Sequence, residues 1–229
     1  MTTPAGARVR LAVAAGFELW CLNLLEPIAP PERAWLSPQE LRKASRFVFE
    51  RDRRRYLSAH GQLRRLLSDY TGVSPARLEF VEGPFGKPAL SNAVRCSFNL
   101  SHSEDAAVVL IAPRGEIGVD VEMLRPMPDA LALAERNFSR AENASLREVA
   151  LAARDQTFLT GWTRKEACLK AIGSGLSIAP DTFTAGLTHD RCTTEIPTPQ
   201  GMVRVSVESF CHQQRSLIAW AWVEPLPGT

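Results

Sequence analysis

The sequence predicts a mixed α+β fold. Two amphipathic helical patterns lie early in the chain, short apolar runs separated by turn residues follow them, and further helical and strand patterns complete it. With 229 residues, the protein can bury a core without disulfides or structural metal. We predict two α+β halves, residues 1–112 and 113–229, with a hinge at Pro113-Arg114-Gly115.

The first half is predicted to begin with helices. Ser37-Pro38-Gln39-Glu40 combines an N-cap serine, a proline at the first helical position and a glutamate three residues after the cap, and this helix should end near Glu50. A second helical stripe begins near Asp52 and stops at Thr71-Gly72. Short apolar runs predict strands over residues 78–81, 98–100 and 106–112.

The second half is predicted to contain the same types of element. A strand over residues 117–121 comes first. Helices are expected at about 129–136, 140–153 and 155–171, and strands near 182–187, 202–208 and 216–223. The similar size and content of the two halves is compatible with an ancient duplication, although no short-period repeat is visible.

Composition argues against several classes of protein. No segment reaches the roughly 18 uncharged apolar residues of a membrane span, and the first residues lack a full signal-peptide pattern, so we expect a cytoplasmic protein. The five cysteines form an odd, scattered set with no CxxC pair, which argues against a disulfide framework and against a zinc site.

The charge distribution is compatible with an anionic ligand. The net charge is +2, but residues 1–112 hold 15 Lys and Arg against 11 Asp and Glu, whereas residues 113–229 hold 12 against 14. A solvated helical face or a nucleic-acid site would explain the basic segment 42–65. No nucleic-acid-binding motif accompanies it, and a small phosphorylated ligand fits at least as well. Its basic residues are Arg42, Lys43, Arg46, Arg51, Arg53, Arg54, Arg55, Arg64 and Arg65.

Paired carboxylates are compatible with a site for a hard metal ion. In residues 117–122 apolar and acidic residues alternate, so a strand would place Asp120 and Glu122 side by side on one face. Their repulsion can be relieved by a cation between them or by water at a solvated strand end, and both explanations stand. Oxygen ligands favour Mg²⁺ or Mn²⁺ over zinc.

A third carboxylate lies on a predicted helix. Glu166 and Lys170 are four residues apart on one helical face, and Trp162 lies one turn earlier. An exposed ion pair would explain Glu166, and so would a partly buried glutamate that binds a metal. The helix alone favours neither explanation.

Two other segments carry polar groups at turns or strand ends. Phe85-Gly86-Lys87-Pro88 displays one lysine on a rigid turn, where an ammonium can meet a phosphate. His102 lies among small polar residues at the end of a predicted strand. It can be a functional group or a turn histidine that bonds to nearby backbone.

Four motifs in this order resemble the Sfp-type phosphopantetheinyl transferase family. The resemblance covers roughly residues 37–185, and the last motif is similar to the branch with W and KEA signatures. Within that range Glu142 forms a capping box with Ser139, and that role is sufficient for it. The motifs are Phe85-Gly86-Lys87-Pro88, Phe98-Asn99-Leu100-Ser101-His102-Ser103, Ile117-Gly118-Val119-Asp120-Val121-Glu122 and Trp162-Thr163-Arg164-Lys165-Glu166-Ala167-Cys168-Leu169-Lys170.

The resemblance implies a pseudo-twofold pair of similar α+β subdomains in one monomeric chain, the 4′-phosphopantetheinyl transferase fold, with coenzyme A in the cleft between them. It implies that Asp120, Glu122 and Glu166 hold Mg²⁺, or Mn²⁺, on the pyrophosphate of coenzyme A. Lys170 and His102 would meet phosphate oxygens. Glu166 would take the proton of the attacking hydroxyl through water.

Further contacts with coenzyme A also follow from the resemblance. Lys87 and Ser101 would meet the nucleotide end of the ligand, and Lys43 and Arg55 would meet further phosphates. Glu40 stands near the place where other members carry a basic residue. The contacts of the 3′-phosphate are therefore left open.

The implied reaction transfers the 4′-phosphopantetheine arm of coenzyme A to a serine of an apo acyl or peptidyl carrier protein and releases adenosine 3′,5′-bisphosphate. The carriers would belong to fatty-acid, polyketide or nonribosomal-peptide synthesis, and no nucleic acid or membrane would take part. Two alternatives remain. A Mg²⁺-dependent nuclease would use the same carboxylates, and a non-enzymatic polyanion-binding protein would need only the basic segment 42–65.

Overall fold

The computed structural model describes residues 8–11, 16–83, 85–91 and 96–225, apart from the side chain of Leu176. Within these ranges it contains six α-helices, ten strands and three antiparallel sheets, so the α+β prediction is confirmed. None of the described helices is both long and apolar enough to cross a bilayer. The five cysteines are free thiols.

The first half contributes two sheets and three helices. Strands β1, β2, β6 and β5 form one sheet in that order, and β3 pairs with β4. In chain order the elements are β1 (Val9–Leu11), β2 (Glu18–Asn23), α1 (Pro30–Ala34), α2 (Pro38–Ala44), α3 (Glu50–Thr71), β3 (Phe80–Glu82), β4 (Pro88–Leu90), β5 (Ser97–Ser103) and β6 (Ala106–Ala112).

The second half forms one sheet and three helices. Its strands lie in the order β7, β10, β9, β8. In chain order the elements are β7 (Ile117–Met123), α4 (Ala130–Asn137), α5 (Arg140–Glu148), α6 (Leu151–Ile172), β8 (Cys192–Thr198), β9 (Gly201–His212) and β10 (Ser216–Val223).

The two large sheets pack against each other between two long helices. Helix α3 covers the outer face of the first sheet, and α6 covers the outer face of the second. A third apolar cluster joins the inner faces of the sheets. Strand alternation sends Val119 and Val121 into this inner cluster, so Gly118 and Asp120 face α6.

The halves share a set of corresponding elements. Helices α3 and α6 each have 22 residues and end at a glycine, Gly72 or Gly173, with φ of 73°. The N–H of Leu24 donates to the carbonyl of Asp105 at 2.8 Å, and the N–H of Leu124 makes the matching bond to Arg215 at 2.8 Å. Strands β2, β6 and β5 therefore correspond to β7, β10 and β9.

Each half contains a buried ion pair at the corresponding position. In the first half Arg64 of α3 pairs with Glu40 at 2.7 Å, and in the second Lys165 of α6 pairs with Glu142 at 2.8 Å. Each glutamate also completes a capping box, with Ser37 and Ser139 respectively. The two cations occupy the same position along their helices.

Each buried cation also donates to the first residue of a short 3₁₀ turn C-terminal to its helix and to the residue just after that turn. Arg64 donates to the carbonyls of Pro75 and Leu78. Lys165 donates to those of Pro180 and Phe183. These bonds satisfy polar groups that burial would otherwise leave unpaired.

The prediction of a strand over 182–187 is wrong. Residues 180–182 form a 3₁₀ turn, and the carbonyls of Phe183 and Ala185 accept hydrogen bonds from buried Lys165 and Arg164. The apolar residues here are buried beside side-chain donors rather than in a sheet. The strand of this region is β8, which the sequence did not indicate.

Helix ends and short elements also differ from the predictions. Helix α2 ends at Ala44 rather than near Glu50, and the extended backbone of Phe49 serves as the N-cap of α3. The predicted helix over 140–153 ends at Glu148, and α6 already begins at Leu151. Elements β1, β2, α1 and β4 were not predicted.

Candidate active site

A glycine brings α6 close to β7. A Cβ on Gly118 would lie 2.2 Å from the carbonyl oxygen of Ala167 and 2.3 Å from the backbone nitrogen of Ala171. No side chain fits between this strand and this helix. The close approach brings Lys170 to Asp120, two residues along the strand.

Asp120, Lys170 and Ser101 form a compact polar cluster. One oxygen of Asp120, Oδ1, accepts from Lys170 Nζ at 2.6 Å and from Ser101 Oγ at 2.8 Å. Lys170 Nζ also donates to Ser101 Oγ at 2.9 Å. The other oxygen, Oδ2, is buried and has no hydrogen-bond partner among the described residues.

Burial dominates the electrostatics of Asp120. It raises the pKa of the carboxyl, and the charge of nearby Glu122 acts in the same direction. The ammonium of Lys170 and the hydroxyl of Ser101 oppose this rise. Lys170 forms its ion pair with Asp120 rather than with Glu166, so the simple helical Glu166–Lys170 pair is not formed in the described ranges.

Glu122 and Glu166 complete the acidic group. Glu122 Oε2 accepts from Arg125 Nη1 at 2.7 Å and from Ser103 Oγ at 3.3 Å. The pKa of half-buried Glu166 is raised, first by desolvation and then by the charge of Asp120, while Lys170 lowers it. The carboxylates thus repel one another in a place where water is limited.

These three carboxylates fit a hard divalent cation by donor type. Mg²⁺ prefers carboxylate oxygens, and the buried Oδ2 of Asp120 is available to a cation. Over the described part of the chain, no group of three Asp, Glu, His or Cys side chains is arranged to hold a metal ion. Mg²⁺ usually keeps several waters and binds through one or two carboxylates, so a site built on Asp120 and Glu122 does not need three side chains at one point.

His102 lies at the end of β5 on the same edge of the site. The residue is exposed, yet partial desolvation lowers the pKa of its ring, and the charges of Lys170, His60 and Arg55 lower it further. The ring is therefore mainly neutral at pH 7. It lies in the positive field that a phosphate would enter.

Arg55 and Lys43 lie farther from the carboxylates. Arg55 Nε donates to Asp105 Oδ1 at 2.8 Å, and this bond raises the pKa of the guanidinium. Lys43 is exposed, with its ammonium 5.7 Å from the ring centre of Tyr56. No contact joins either cation to Asp120 within the described residues, so both belong to the outer edge of the site.

Lys87 lies at the other end of the contact between β5 and β7. Its Nζ donates to Glu116 Oε2 and to the carbonyl of Ala171, both at 3.0 Å. It lines a cavity of 280 Å³ with residues such as Ser97 and Ile117 at the starts of the two strands. The structure does not bring Lys87 to the carboxylates.

Glu40 is buried and bonds to Arg64 and His60 within the first half. Burial alone would raise its pKa, but hydrogen bonds from His60, Arg64 and the backbone of Ser37 outweigh burial and lower the pKa to about 2. A phosphate therefore has no contact to gain at this position. Glu142 forms the capping box that its sequence indicated.

Sequence reasoning missed three residues around the carboxylates. Asn99 and Ser103 were parts of a motif but received no role, and Arg125 was not considered. A signal for the first two existed, because polar residues alternate along β5 as the acids do along β7. Arg125 follows Glu122 by three residues outside a helix, which carries no comparable signal.

Two family models match the chain. One is described as the 4′-phosphopantetheinyl transferase superfamily and matches residues 116–218. The other is described as the N-terminal region of 4′-phosphopantetheinyl transferases and matches residues 32–114. Together they cover both halves.

Several curated relatives are similar over most of the chain. The 4′-phosphopantetheinyl transferase HetI of Nostoc sp. is 38% identical over 164 residues, which are 69% of each protein. The slr0495 protein of Synechocystis sp. is 36% identical over 70% of this chain and 66% of its own length. The 4′-phosphopantetheinyl transferase Sfp of Bacillus subtilis is 28% identical over 72% of each chain. The matches span about two thirds of these relatives.

Proposed function

This chain belongs to the 4′-phosphopantetheinyl transferase superfamily and is a transferase, and from that premise we propose that it converts apo carrier proteins to their holo forms. It moves the 4′-phosphopantetheine arm of coenzyme A to a serine of an acyl or peptidyl carrier protein and releases adenosine 3′,5′-bisphosphate. The observation that carries the proposal is the buried cluster of Asp120, Lys170 and Ser101 at the contact between the halves.

The three carboxylates are proposed to hold Mg²⁺, which Mn²⁺ can replace. Asp120 offers its unpartnered Oδ2, and Glu122 and Glu166 lie close enough for their charges to affect Asp120 or each other. When bound, the ion supplies positive charge to the pyrophosphate oxygens of coenzyme A. A cation would also offset the repulsion from Asp120 that adds to the effect of burial on the pKa of Glu166.

Lys170 and His102 are proposed to bind the phosphates that react. The ammonium of Lys170 is held between Asp120 and Ser101, so it needs only a small movement to donate to a phosphate oxygen. Glu166 takes the proton of the carrier serine through water.

The remaining contacts with coenzyme A are proposed from the family pattern. Lys87 and Ser101 serve the nucleotide end, and Lys43 and Arg55 bind further phosphates. For Lys87 this role means exchanging its ion pair with Glu116 for a ligand phosphate.

The setting of the enzyme follows from the same features. We propose that residues 1–112 and 113–229 are its two structural halves and that a monomer is sufficient, because one chain supplies both sides of the carboxylate cluster. The free thiols support a reducing, cytoplasmic location.

The carrier belongs to fatty-acid, polyketide or nonribosomal-peptide synthesis. Neither nucleic acid nor a membrane is a proposed partner, and the family match does not favour a nuclease or a polyanion-binding protein.

The test is a transfer assay. The protein is mixed with coenzyme A, Mg²⁺ and a panel of apo carriers from the three kinds of synthesis, and each carrier is weighed by mass spectrometry. We expect one phosphopantetheine addition on at least one carrier and none after metal chelation. No mass gain on any carrier would refute the function, and a gain in the presence of a chelator would refute the role of the metal.

An amide variant tests the metal carboxylate directly. Asp120→Asn should remove most of the transfer activity, whereas Asp129→Asn, an exposed aspartate at the start of α4, should leave it unchanged. Equal activity in both variants would remove Asp120 from the proposed site.

A further inference from the structure

Strands β5 and β7 face each other without sharing a backbone ladder. Each lies at the edge of its own sheet, β5 in the first half and β7 in the second. The two strands run in the same direction, since Asn99, Ser101 and Ser103 of β5 contact successive positions of β7. We call these three residues the β5 polar row.

Every member of the β5 polar row bonds across to β7. The side-chain oxygen of Asn99 accepts from the backbone N–H of Val119 at 2.8 Å. Ser103 Oγ accepts from the N–H of Met123 at 3.3 Å. Edge-strand donors that would otherwise lack partners are thus satisfied by side chains of the other half.

The two serines of the row also donate to carboxylates. Ser101 donates to Oδ1 of Asp120, and Ser103 donates to Oε2 of Glu122. Asp120 Oδ1 then has two donors, Ser101 and Lys170, whereas its Oδ2 has none in the described ranges and is buried. Hydrogen bonds to one oxygen fix the rotation of the carboxylate and therefore the direction of the other oxygen.

We infer that Ser101 and Ser103 are positioning residues that orient Asp120 and Glu122 toward a hard divalent cation. Each serine ties one carboxylate oxygen, and in Asp120 this leaves the buried Oδ2 for the metal ion. The inference rests on the proposed function for the role of the metal. It gives the hydroxyl of Ser101 a role on Asp120, in addition to the contact with the nucleotide of coenzyme A that is proposed from the family pattern.

The geometry also ranks the two serines. Ser101 is buried, and its bond to Asp120 measures 2.8 Å. The bond from Ser103 to Glu122 measures 3.3 Å, and Arg125 already donates to the same oxygen at 2.7 Å. Loss of Ser101 should therefore affect metal binding more than loss of Ser103.

The experiment measures Mn²⁺ binding by the full-length protein without coenzyme A or carrier. Mn²⁺ is titrated and its free concentration is followed by electron paramagnetic resonance. Ser101→Ala should weaken binding by about 10- to 100-fold, which is the usual effect of losing a residue that orients a metal ligand. Ser103→Ala should have a smaller effect, and Ser103→Thr, which keeps the hydroxyl, should restore wild-type affinity.

Two matched controls separate positioning from stability. Asn99→Ala removes the member of the β5 polar row that bonds to the backbone of β7 and to no carboxylate. This variant should lower the unfolding midpoint and leave the Mn²⁺ affinity unchanged. Ser91→Ala removes another serine that bonds to a carboxylate, Glu79, away from the carboxylate cluster. It should change neither quantity.

The inference is overturned if Ser101→Ala binds Mn²⁺ like the wild type, or if the wild type binds none. The binding of coenzyme A is measured separately in the presence of a chelator. If Ser101→Ala alone loses this binding but keeps the wild-type affinity for Mn²⁺, the hydroxyl serves the nucleotide and the inference fails. Since the Mn²⁺ titration uses no carrier, failure of the transfer assay would refute the proposed function without affecting this result.

Discussion

Helices α3 and α6 pack on corresponding sheets, and their buried cations allow a comparison residue by residue. When Arg64 is matched with Lys165, Glu166 of α6 corresponds to Arg65 of α3. In the same alignment Lys170 corresponds to Asp69. Charges at these two positions are reversed between the halves.

The strands under these helices differ in the same way. Matching Leu24 with Leu124 places Trp20 and Leu22 of β2 where β7 carries Asp120 and Glu122. The first half therefore has aromatic and aliphatic side chains at the positions of the proposed metal carboxylates.

A groove of 690 Å³ occupies the corresponding place in the first half. Trp20 and Asp69 contribute to its lining. Asp69, which corresponds to Lys170, is paired there with Arg8 at 3.7 Å. The buried ion pair therefore belongs to the shared scaffold, whereas the carboxylate cluster is found, among the described residues, in the second half alone.

The first prediction tests whether the two buried ion pairs have equivalent roles in the shared scaffold. Arg64→Met and Lys165→Met each leave a buried glutamate without its cation and should each cost about 3–5 kcal/mol of unfolding free energy. Urea unfolding measures both. Arg33→Met, at an exposed site, should have little effect. A large cost in one half alone would mean that the two pairs do not have equivalent roles.

The second prediction sharpens the chemical difference between the helices. Glu166→Gln should lower the transfer rate by about 10²–10³-fold, as expected when one charge-stabilising group is lost. Arg65→Gln, at the corresponding position of α3, should stay within about threefold of the wild type. Rates of holo-carrier formation measured by mass spectrometry decide this, and similar losses in both variants would contradict it.

The third prediction concerns acid stability, which Glu40 should dominate in the first half. Its folded pKa of about 2 lies below its ordinary value of 4.5, so its stabilisation is present above about pH 5 and is lost as the pH falls towards 2. The shift corresponds to about 3 kcal/mol. Glu40→Gln should be less stable at pH 7 and should lose less stability on acidification.

Denaturant unfolding between pH 7 and pH 3 measures this slope. Glu26→Gln, at an exposed glutamate, is the control and should follow the wild type. An unchanged slope in Glu40→Gln would show that other carboxyl groups control acid unfolding.

The fourth and smallest effect tests the close contact in the second half. Gly118→Ala forces α6 away from β7 and should cost about 1–3 kcal/mol. Glu18→Ala, at the corresponding position of β2, removes a partly exposed ion pair with Arg10 and a hydrogen bond from Trp20 Nε1, and it should cost about 1 kcal/mol or less. Thermal unfolding compares them, and equal costs would show that the contact at Gly118 is not special.

Local patterns in the sequence were sufficient for much of the fold. The stripe of α3, the capping boxes at Ser37 and Ser139, and the alternation along β7 are short-range signals, and each was confirmed as an element or cap. Strands β1 and β2 were not predicted because the apolar residues in positions 1–30 follow no clear helical or strand period. The error at residues 182–187 arose because an apolar run buried beside Lys165 looks like a strand.

The candidate site was only partly accessible from sequence. Alternation placed Asp120 and Glu122 on one face, but nothing in the sequence shows that Ser101 and Ser103 reach them from another sheet. The pairing of Lys170 with Asp120 rather than Glu166 also depends on how α6 packs over Gly118. Such contacts join distant segments, so no local period reveals them.

The contact between β5 and β7 has a consequence for assembly. Carboxylates from one half meet hydroxyl donors from the other, so a chain with both halves folded but not docked would lack the aligned ligands. A metal ion that binds the docked form about 10- to 100-fold more tightly would stabilise it by at most about 1.4–2.7 kcal/mol. The ion would then stabilise the interface between the halves, and cellular magnesium would favour the docked chain over the chain whose halves are folded but not docked.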